Sequence, residues 1–156
     1  MAAYLPYLVA LGIGFVAGLR AMTAPAAIAW AAYLGWLPLA GTALAFMGSV
    51  WAVGILTLLA LFELVGDQLP STPSRKVPVQ FGTRLLMGEL SGAAIGAAAG
   101  VLLAGMACGV VGAVLGTYLG AAGRAGLARA FGKDLPAALI EDLVAIGGAF
   151  LLVHGL

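Results

Sequence analysis

The chain has 156 residues, 63% of them hydrophobic and 8% charged, and its formal net charge is +1. A soluble domain carries about 25% charged residues, so a water-facing surface cannot be built from this composition. The mean hydropathy of +1.14 places the chain in a lipid bilayer, and nucleic acid is not expected among its partners. The runs 1–19, 21–62 and 90–123 carry no charge at all. About 20 apolar residues suffice for one helix to cross the hydrocarbon core, so the second and third runs must each fold back. No alternation of polar and apolar residues suggests a transmembrane barrel. The expected class is therefore all-α: a polytopic helix bundle in a single domain over 1–156.

In chain order, the expected membrane segments are roughly 4–19, 24–39, 43–64, 82–104, 106–123 and 136–154. The N-terminus lacks a basic stretch before its apolar run, so the first segment is expected to be a span rather than a cleavable leader. Between the first two segments, Arg20-Ala-Met-Thr-Ala-Pro25 offers a helix restart, with Thr23 as N-cap and Pro25 in the first turn. The alternative is one long kinked helix with Arg20 near its middle. Leu37-Pro38-Leu39-Ala40-Gly41 closes the second segment. A proline-rich basic loop occupies 68–80, stiffened by Pro70, Pro73 and Pro78. Gly105-Met-Ala-Cys-Gly109 is expected to form a tight uncharged turn, and Gly132-Lys-Asp-Leu-Pro136 to separate the last two segments with Asp134 as N-cap.

Laid up and down, these segments put every charge on one side. Arg20 sits at the first turn, Glu63, Asp67, Arg75, Lys76, Arg84 and Glu89 around the second, and Arg124, Arg129, Lys133, Asp134, Glu141 and Asp142 around the third. The opposite side has neither Lys nor Arg. By the positive-inside rule the charged side is cytoplasmic, which gives three helical hairpins turning at that face and both termini outside. A bacterial inner (plasma) membrane is the expected location. Short likenesses, such as Ala17-Gly-Leu-Arg20-Ala with Ala122-Gly-Arg124-Ala, hint at internal repetition, but corresponding charges fall on one side, unlike an inverted repeat.

Glycine recurs every fourth residue at Gly88, Gly92, Gly96 and Gly100, and again at Gly112, Gly116 and Gly120. Residues four apart share a helix face, and bare backbone lets helices approach closely in lipid. The simplest expectation is that these two faces pack segments four and five together within one chain. The alternative is a homo-oligomer.

Chemistry must lie among the few charges. Glu89 and Glu141 stand about five residues inside their helices, some 7–8 Å deep. Glu63 and Asp67 are four apart and share a face. An unpaired charge at such depth costs a few kcal/mol, so Arg20, Arg84 and Arg124 are expected to pair with Glu63, Glu89 and Glu141 inside the bundle, with Asp67 and Asp142 close by. Such a cluster reads either as a polar cavity for an ion or anionic group or as a set of interhelical salt bridges. The loop Leu69-Pro-Ser-Thr-Pro-Ser-Arg-Lys76 reads as a headgroup-facing loop before it reads as a phosphate site. His154 and the tryptophans Trp30, Trp36 and Trp51 read as interfacial or lipid-facing residues. Cys108 is the one cysteine, which excludes a disulfide within the chain and a thiol–metal cluster. No phosphate-binding loop, dinucleotide fingerprint or zinc motif is present, so neither cofactor nor metal is expected.

Three stretches carry a family resemblance: Gly18-Leu-Arg20-Ala, Phe62-Glu-Leu-Val-Gly-Asp67-Gln-Leu-Pro70 and Ile140-Glu-Asp-Leu-Val-Ala145. They resemble a bacterial membrane family known as domain of unknown function four-one-two-six. Its members read Gly-Leu-Arg-Ala-Phe, an acidic Phe-Glu motif before a proline loop, and a late Glu-Asp pair. Here Met22 stands in place of the aromatic residue. The resemblance implies no activity, and it points to Arg20, Glu63, Asp67, Glu141 and Asp142. On the residues themselves, a transporter or channel for an ion or small polar solute is expected first. An intramembrane enzyme acting on a lipid headgroup, or a structural subunit, is the alternative.

Overall fold

The computed structural model describes residues 2–68, 76–154 and 156. Among these the fold is all-α: α1 (Leu5–Leu19), α2 (Thr23–Tyr33), α3 (Val50–Gly66), α4 (Pro78–Ala98), α5 (Leu102–Phe131) and α6 (Asp134–His154), with a 3-10 turn at Ala45–Gly48. Prolines open α1 and α4, where a missing N–H costs nothing. Ser49 caps α3 by accepting from the amide of Ala52 at 3.1 Å. Gly132, at φ +69°, ends α5 in the left-handed conformation that side-chain-bearing residues resist.

The helices alternate in direction. At one end Arg20 after α1, Asp67 at the end of α3 and Asp142 in α6 meet. At the other end Trp36 packs edge-on against His154, and Leu5, Pro38, Ala98 and Leu156 surround one small apolar hollow. α1 is the central element and packs on α4, α5 and α6. Its Ala10, Ile13 and Ala17 are wholly buried, joined in the core by Ile28 of α2, Ile95 of α4 and Ala149 of α6.

Two local expectations are corrected. The second segment, expected over 24–39, is helical only to Tyr33. Eleven residues make a helix of about 16 Å, and the chain after it bends at Gly35, with φ +82°, and Pro38. Gly105–Gly109 is not a turn but the second turn of α5, whose helix runs on unbroken past Arg124 and Arg129. The reversal lies instead at Ala99–Val101, around Gly100 at φ +76°. Glycine serves two physical ends, positive φ and close approach, and at 105–109 the second one applies. The Leu69–Lys76 loop falls, up to Arg75, outside the described residues.

The glycine faces pack differently from the expectation. Gly88, Gly92 and Gly96 of α4 lie against Gly105 and Gly109 of α5, so closely that a Cβ on Gly92 would fall on the carbonyl oxygen of Gly105. Gly112 and Gly116 face α1 rather than α4, and meet the backbone at Leu11 and Phe15. α1 answers with Gly14 and Gly18, whose own Cβ positions would strike Gly109 and Ala113. α5 is thus clasped between two helices by successive glycines on its length. Gly100 belongs to the turn, and Gly120 is half-buried beyond this contact.

The outer surface is greasy. On α3, Val50, Trp51, Ile55, Leu58, Phe62 and Val65 are exposed, and on α6 Leu143, Leu151 and Phe150 are. A contiguous apolar surface of this extent marks contact with a partner or a membrane. α5 and α6 are long and apolar enough to cross a bilayer, and α1 and α3 are apolar but shorter.

Candidate functional site

The meeting of residues from the three hairpins is centred on Arg20. It follows the last turn of α1 in an extended conformation (φ −140°, ψ 109°), so its side chain leaves the helix axis and enters the space between hairpins. The residue is 0% exposed. Its Nη1 lies 2.8 Å from Asp67 Oδ2 at the end of α3. Its Nε donates to Asp142 Oδ1 of α6 at 2.6 Å, and Nη2 reaches the same oxygen. Glu141 Oε1 stands 3.5 Å from Nη1, and the Leu19 carbonyl accepts from that nitrogen at 3.2 Å. The planar fork of a guanidinium suits such a ring of acceptors, and an ammonium group would not.

The other charges complete a shell. Glu63, on α3, accepts from the amides of Ala21 and Met22, each at 2.7 Å. These N–H groups lie at the entry to α2, where helix geometry leaves donors without carbonyl partners and favours a negative charge. Thr23, the expected N-cap, does not fill this role: it is the first residue of α2 and its side chain caps nothing. The carboxylate supplied by α3 satisfies donors that a local cap would have taken. Arg84, buried on α4, donates through Nη1 to the carbonyls of Gly18 and Leu19 at 2.9 Å each, and so meets the electronegative end of α1. Glu63 lies within its electrostatic reach.

Arg124 occupies the outer side. It holds Asp134 through Nη2 at 2.7 Å and Nε at 3.1 Å, and it donates to the Asp67 backbone carbonyl at 3.1 Å. Glu141 Oε2 is 3.7 Å from its Nη1, so Glu141 stands between Arg20 and Arg124. Gln68 donates from Nε2 to Asp142 Oδ2 at 2.8 Å.

The expected residues therefore meet, with one exception and with different pairings. Arg20, Glu63, Asp67, Arg84, Arg124, Glu141 and Asp142 form one network. Glu89 is half-buried on α4 and makes no ion pair or hydrogen bond among the described residues. Of the three glutamates expected to pair with Arg20, Arg84 and Arg124, Glu141 stands by Arg20 and Arg124, whereas the nearer partners of Arg20 are Asp67 and Asp142, and Glu63 accepts from backbone amides. Sequence reasoning missed Gln68 and the role of Asp134 as partner of Arg124. The signal for the second was present, since Arg124 in the last turns of one helix and Asp134 at the start of the next flank a turn made at Gly132.

Among the described residues no group of three or more His, Cys, Asp or Glu is arranged to hold a metal ion. The guanidinium of Arg20 stands among the carboxylates that would otherwise attract one. Cys108 is half-buried on α5. His154 is exposed, stacked on Phe150 at 5.2 Å between ring centroids. Trp51 is exposed, Trp36 is half-buried, and Trp30 uses its ring N–H on Thr57 Oγ1 at 2.9 Å.

A family model described as Domain of unknown function (DUF4126) matches residues 7–155. The chain belongs to the DUF4126 family. No curated protein and no solved structure matches it. In this DUF4126 chain, the three stretches that carry the family resemblance are those that converge in space. The first supplies Arg20, the second Glu63, Asp67 and Gln68, and the third Glu141 and Asp142. Residues far apart in the sequence thus form a single buried polar centre.

Proposed function

We propose that this DUF4126 chain is an integral membrane protein, a transporter or channel that admits an ion or small polar solute at its charged end. One observation carries the reading: a wholly buried arginine is held by carboxylates from two other hairpins, in a chain whose outer surface is largely apolar. Ionisable groups inside membrane proteins are expensive and mark ion or solute pathways by default. Because Arg20 links the ends of separate hairpins, any movement of one hairpin against another must remake these ion pairs. A solute of either charge can trade places with one of them. We place the chain in a bacterial inner membrane with six membrane-embedded helices, the charged end in the cytoplasm and both termini outside.

Two measurements test this. Single cysteines at Ala2, Lys133 and Leu156, in a Cys108→Ala background, are treated with an impermeant thiol reagent on intact cells. Labelling is expected at both termini and not at Lys133, and the reverse pattern overturns the orientation. For transport, the purified chain is reconstituted into vesicles and uptake of protons, alkali cations and small organic ions is followed. Uptake above that of protein-free vesicles is expected, and Glu141→Gln is expected to abolish it while the fold stays intact. Uptake unaltered by Glu141→Gln sinks the proposed site.

A second reading has an observation of its own. The charges gather at one end of the bundle, whereas transporter sites usually lie near the bilayer midplane. An enzyme acting on a lipid headgroup, with a carboxylate as base and an arginine on the phosphate, fits that position. Turnover of phospholipid in the same vesicles, without solute uptake, would favour it.

A further inference from the structure

α3 packs on α2 and the 3-10 turn, and stands away from the rest of the bundle. Between it and α6, floored by α2, runs an apolar cleft of about 380 Å³. Ala26, Ala27, Ala60 and Ala149 keep it wide, while Leu64 and Phe150 wall its two sides. This volume lies within the range of ligand pockets, about 300–1,000 Å³. On each helix the lining residues cover two turns, Thr23 to Trp30, Thr57 to Leu64 and Ile146 to Val153, so the cleft extends roughly 10 Å along the bundle.

The cleft has one polar end. Thr23 lines it at the charged end of the bundle, is 7% exposed, and its Oγ1 makes no hydrogen bond among the described residues. The reason is geometric. A helical threonine usually donates to the carbonyl one turn earlier, as Thr117 does to Ala113 at 2.7 Å. Thr23 is the first residue of α2, and the Leu19 carbonyl four residues before it already accepts from Arg20 and Arg84. Of the other polar groups at the cleft, Trp30 Nε1 donates to Thr57 Oγ1, and the indole N–H of Trp36 belongs to a half-buried ring at the opposite end. A buried hydroxyl without a partner is a costly thing to keep in an apolar wall.

We infer that this cleft takes one fatty-acyl chain of a membrane phospholipid, with the ester carbonyl accepting from Thr23 Oγ1. The polarity of the cleft is that of the lipid. Its buried hydroxyl without a partner among the described residues lies toward the charged end, at the side where headgroups gather, and aliphatic and aromatic side chains line the rest toward Trp36, Phe150 and Val153. The exposed apolar face of α3 beside it lets the chain enter from the bilayer. The inference rests on the membrane reading but not on transport, since a held lipid suits either function.

The test uses the full chain in vesicles of phosphatidylethanolamine and phosphatidylglycerol. These contain a trace of phosphatidylglycerol with a photoactivatable group on one acyl chain. Cross-links are expected at cleft residues such as Ala27, Ala60 and Ala149. They should exceed those on the exposed face of α3 at Ile55 and Leu58. Native mass spectrometry from mild detergent should find one retained lipid per chain. Ala60→Leu and, separately, Ala27→Leu fill the cleft from opposite walls, and either one that folds should lower retention about tenfold, the effect of two methylenes no longer buried. Thr23→Val should raise the melting temperature of the lipid-free protein and lower retention of diester lipid. Diether lipid, which has no ester carbonyl, should bind wild type and Thr23→Val alike. Labelling spread evenly over α3 and unmoved by the filling variants overturns the inference, as does equal retention of diester and diether lipid by the wild type. Cross-links joining the cleft to a second copy of the chain also overturn it. Release of the chain from vesicles by alkaline carbonate defeats both this inference and the membrane reading, whereas an embedded chain with an unlabelled cleft defeats this inference alone.

Discussion

Gly109→Ala lowers the melting temperature of the detergent-purified protein by about 10 °C, and Gly126→Ala does not lower it. The first part of this expectation follows from what surrounds Gly109. A Cβ there would fall on the carbonyl oxygen of Gly88, with the Cα of Gly92 close behind. Overpacking costs about 1–3 kcal/mol even where side chains can give way. Here the obstacles are backbone atoms of a neighbouring helix, so relief requires α4 to move away from α5 along its whole length. For a chain of this size each kcal/mol shifts the midpoint by roughly 2–4 °C, which gives the expected drop. Around Gly126 no atom outside its own helix stands within 4 Å, so the same methyl group meets nothing. A wild-type midpoint for Gly109→Ala would mean that α4 and α5 do not touch as described. A large drop for Gly126→Ala would mean that a methyl group on that face does meet a neighbour, since helix propensity alone favours alanine there.

The helical class was legible because long uncharged runs show no alternation of polar and apolar residues, and an apolar exterior because only 8% of the residues are charged. The grouping of charges was legible too, since each of Arg20, Glu63, Arg84, Arg124 and Glu141 interrupts an otherwise apolar run. What could not be read was which glycine does which work. Gly100 and Gly105 look alike in the sequence, yet one bends the chain and the other lets two backbones touch, and only the partner helix decides. The capping of α2 was hidden for a similar reason. Local pattern favoured Thr23, whereas the group that meets the free amides is Glu63, forty residues away and brought there by the packing of α3 on α2. The pairing of Arg20 depends on its extended backbone, which turns the guanidinium toward Asp67 and Asp142 rather than toward Glu63. The three family stretches converge for that reason, and nothing in their separate spellings reveals it.

Arg20→Met is expected to be the most damaging single change at the charged end. The guanidinium is the shared partner of Asp67, Glu141 and Asp142, and Met fills much of its volume without its charge. Removing one member of a buried ion pair leaves its partners uncompensated and costs about 3–5 kcal/mol. Arg20→Lys should recover only part of this, because one ammonium cannot meet Asp67 and Asp142 from separate nitrogens as the fork does. The combination Arg20→Met, Asp67→Asn, Asp142→Asn removes the uncompensated charges as well, and its melting temperature should return toward wild type, since a neutral core of similar shape is often as stable as a buried ion pair. Stability and transport then separate the two roles open to this centre. If the ion pairs only staple the hairpins, the triple variant regains uptake together with its melting temperature. If the centre handles the solute, the triple variant is stable and silent, and the proposed site stands. An Arg20→Met protein that melts like wild type would mean that Asp67 and Asp142 find other partners, and the buried hub described here would be wrong.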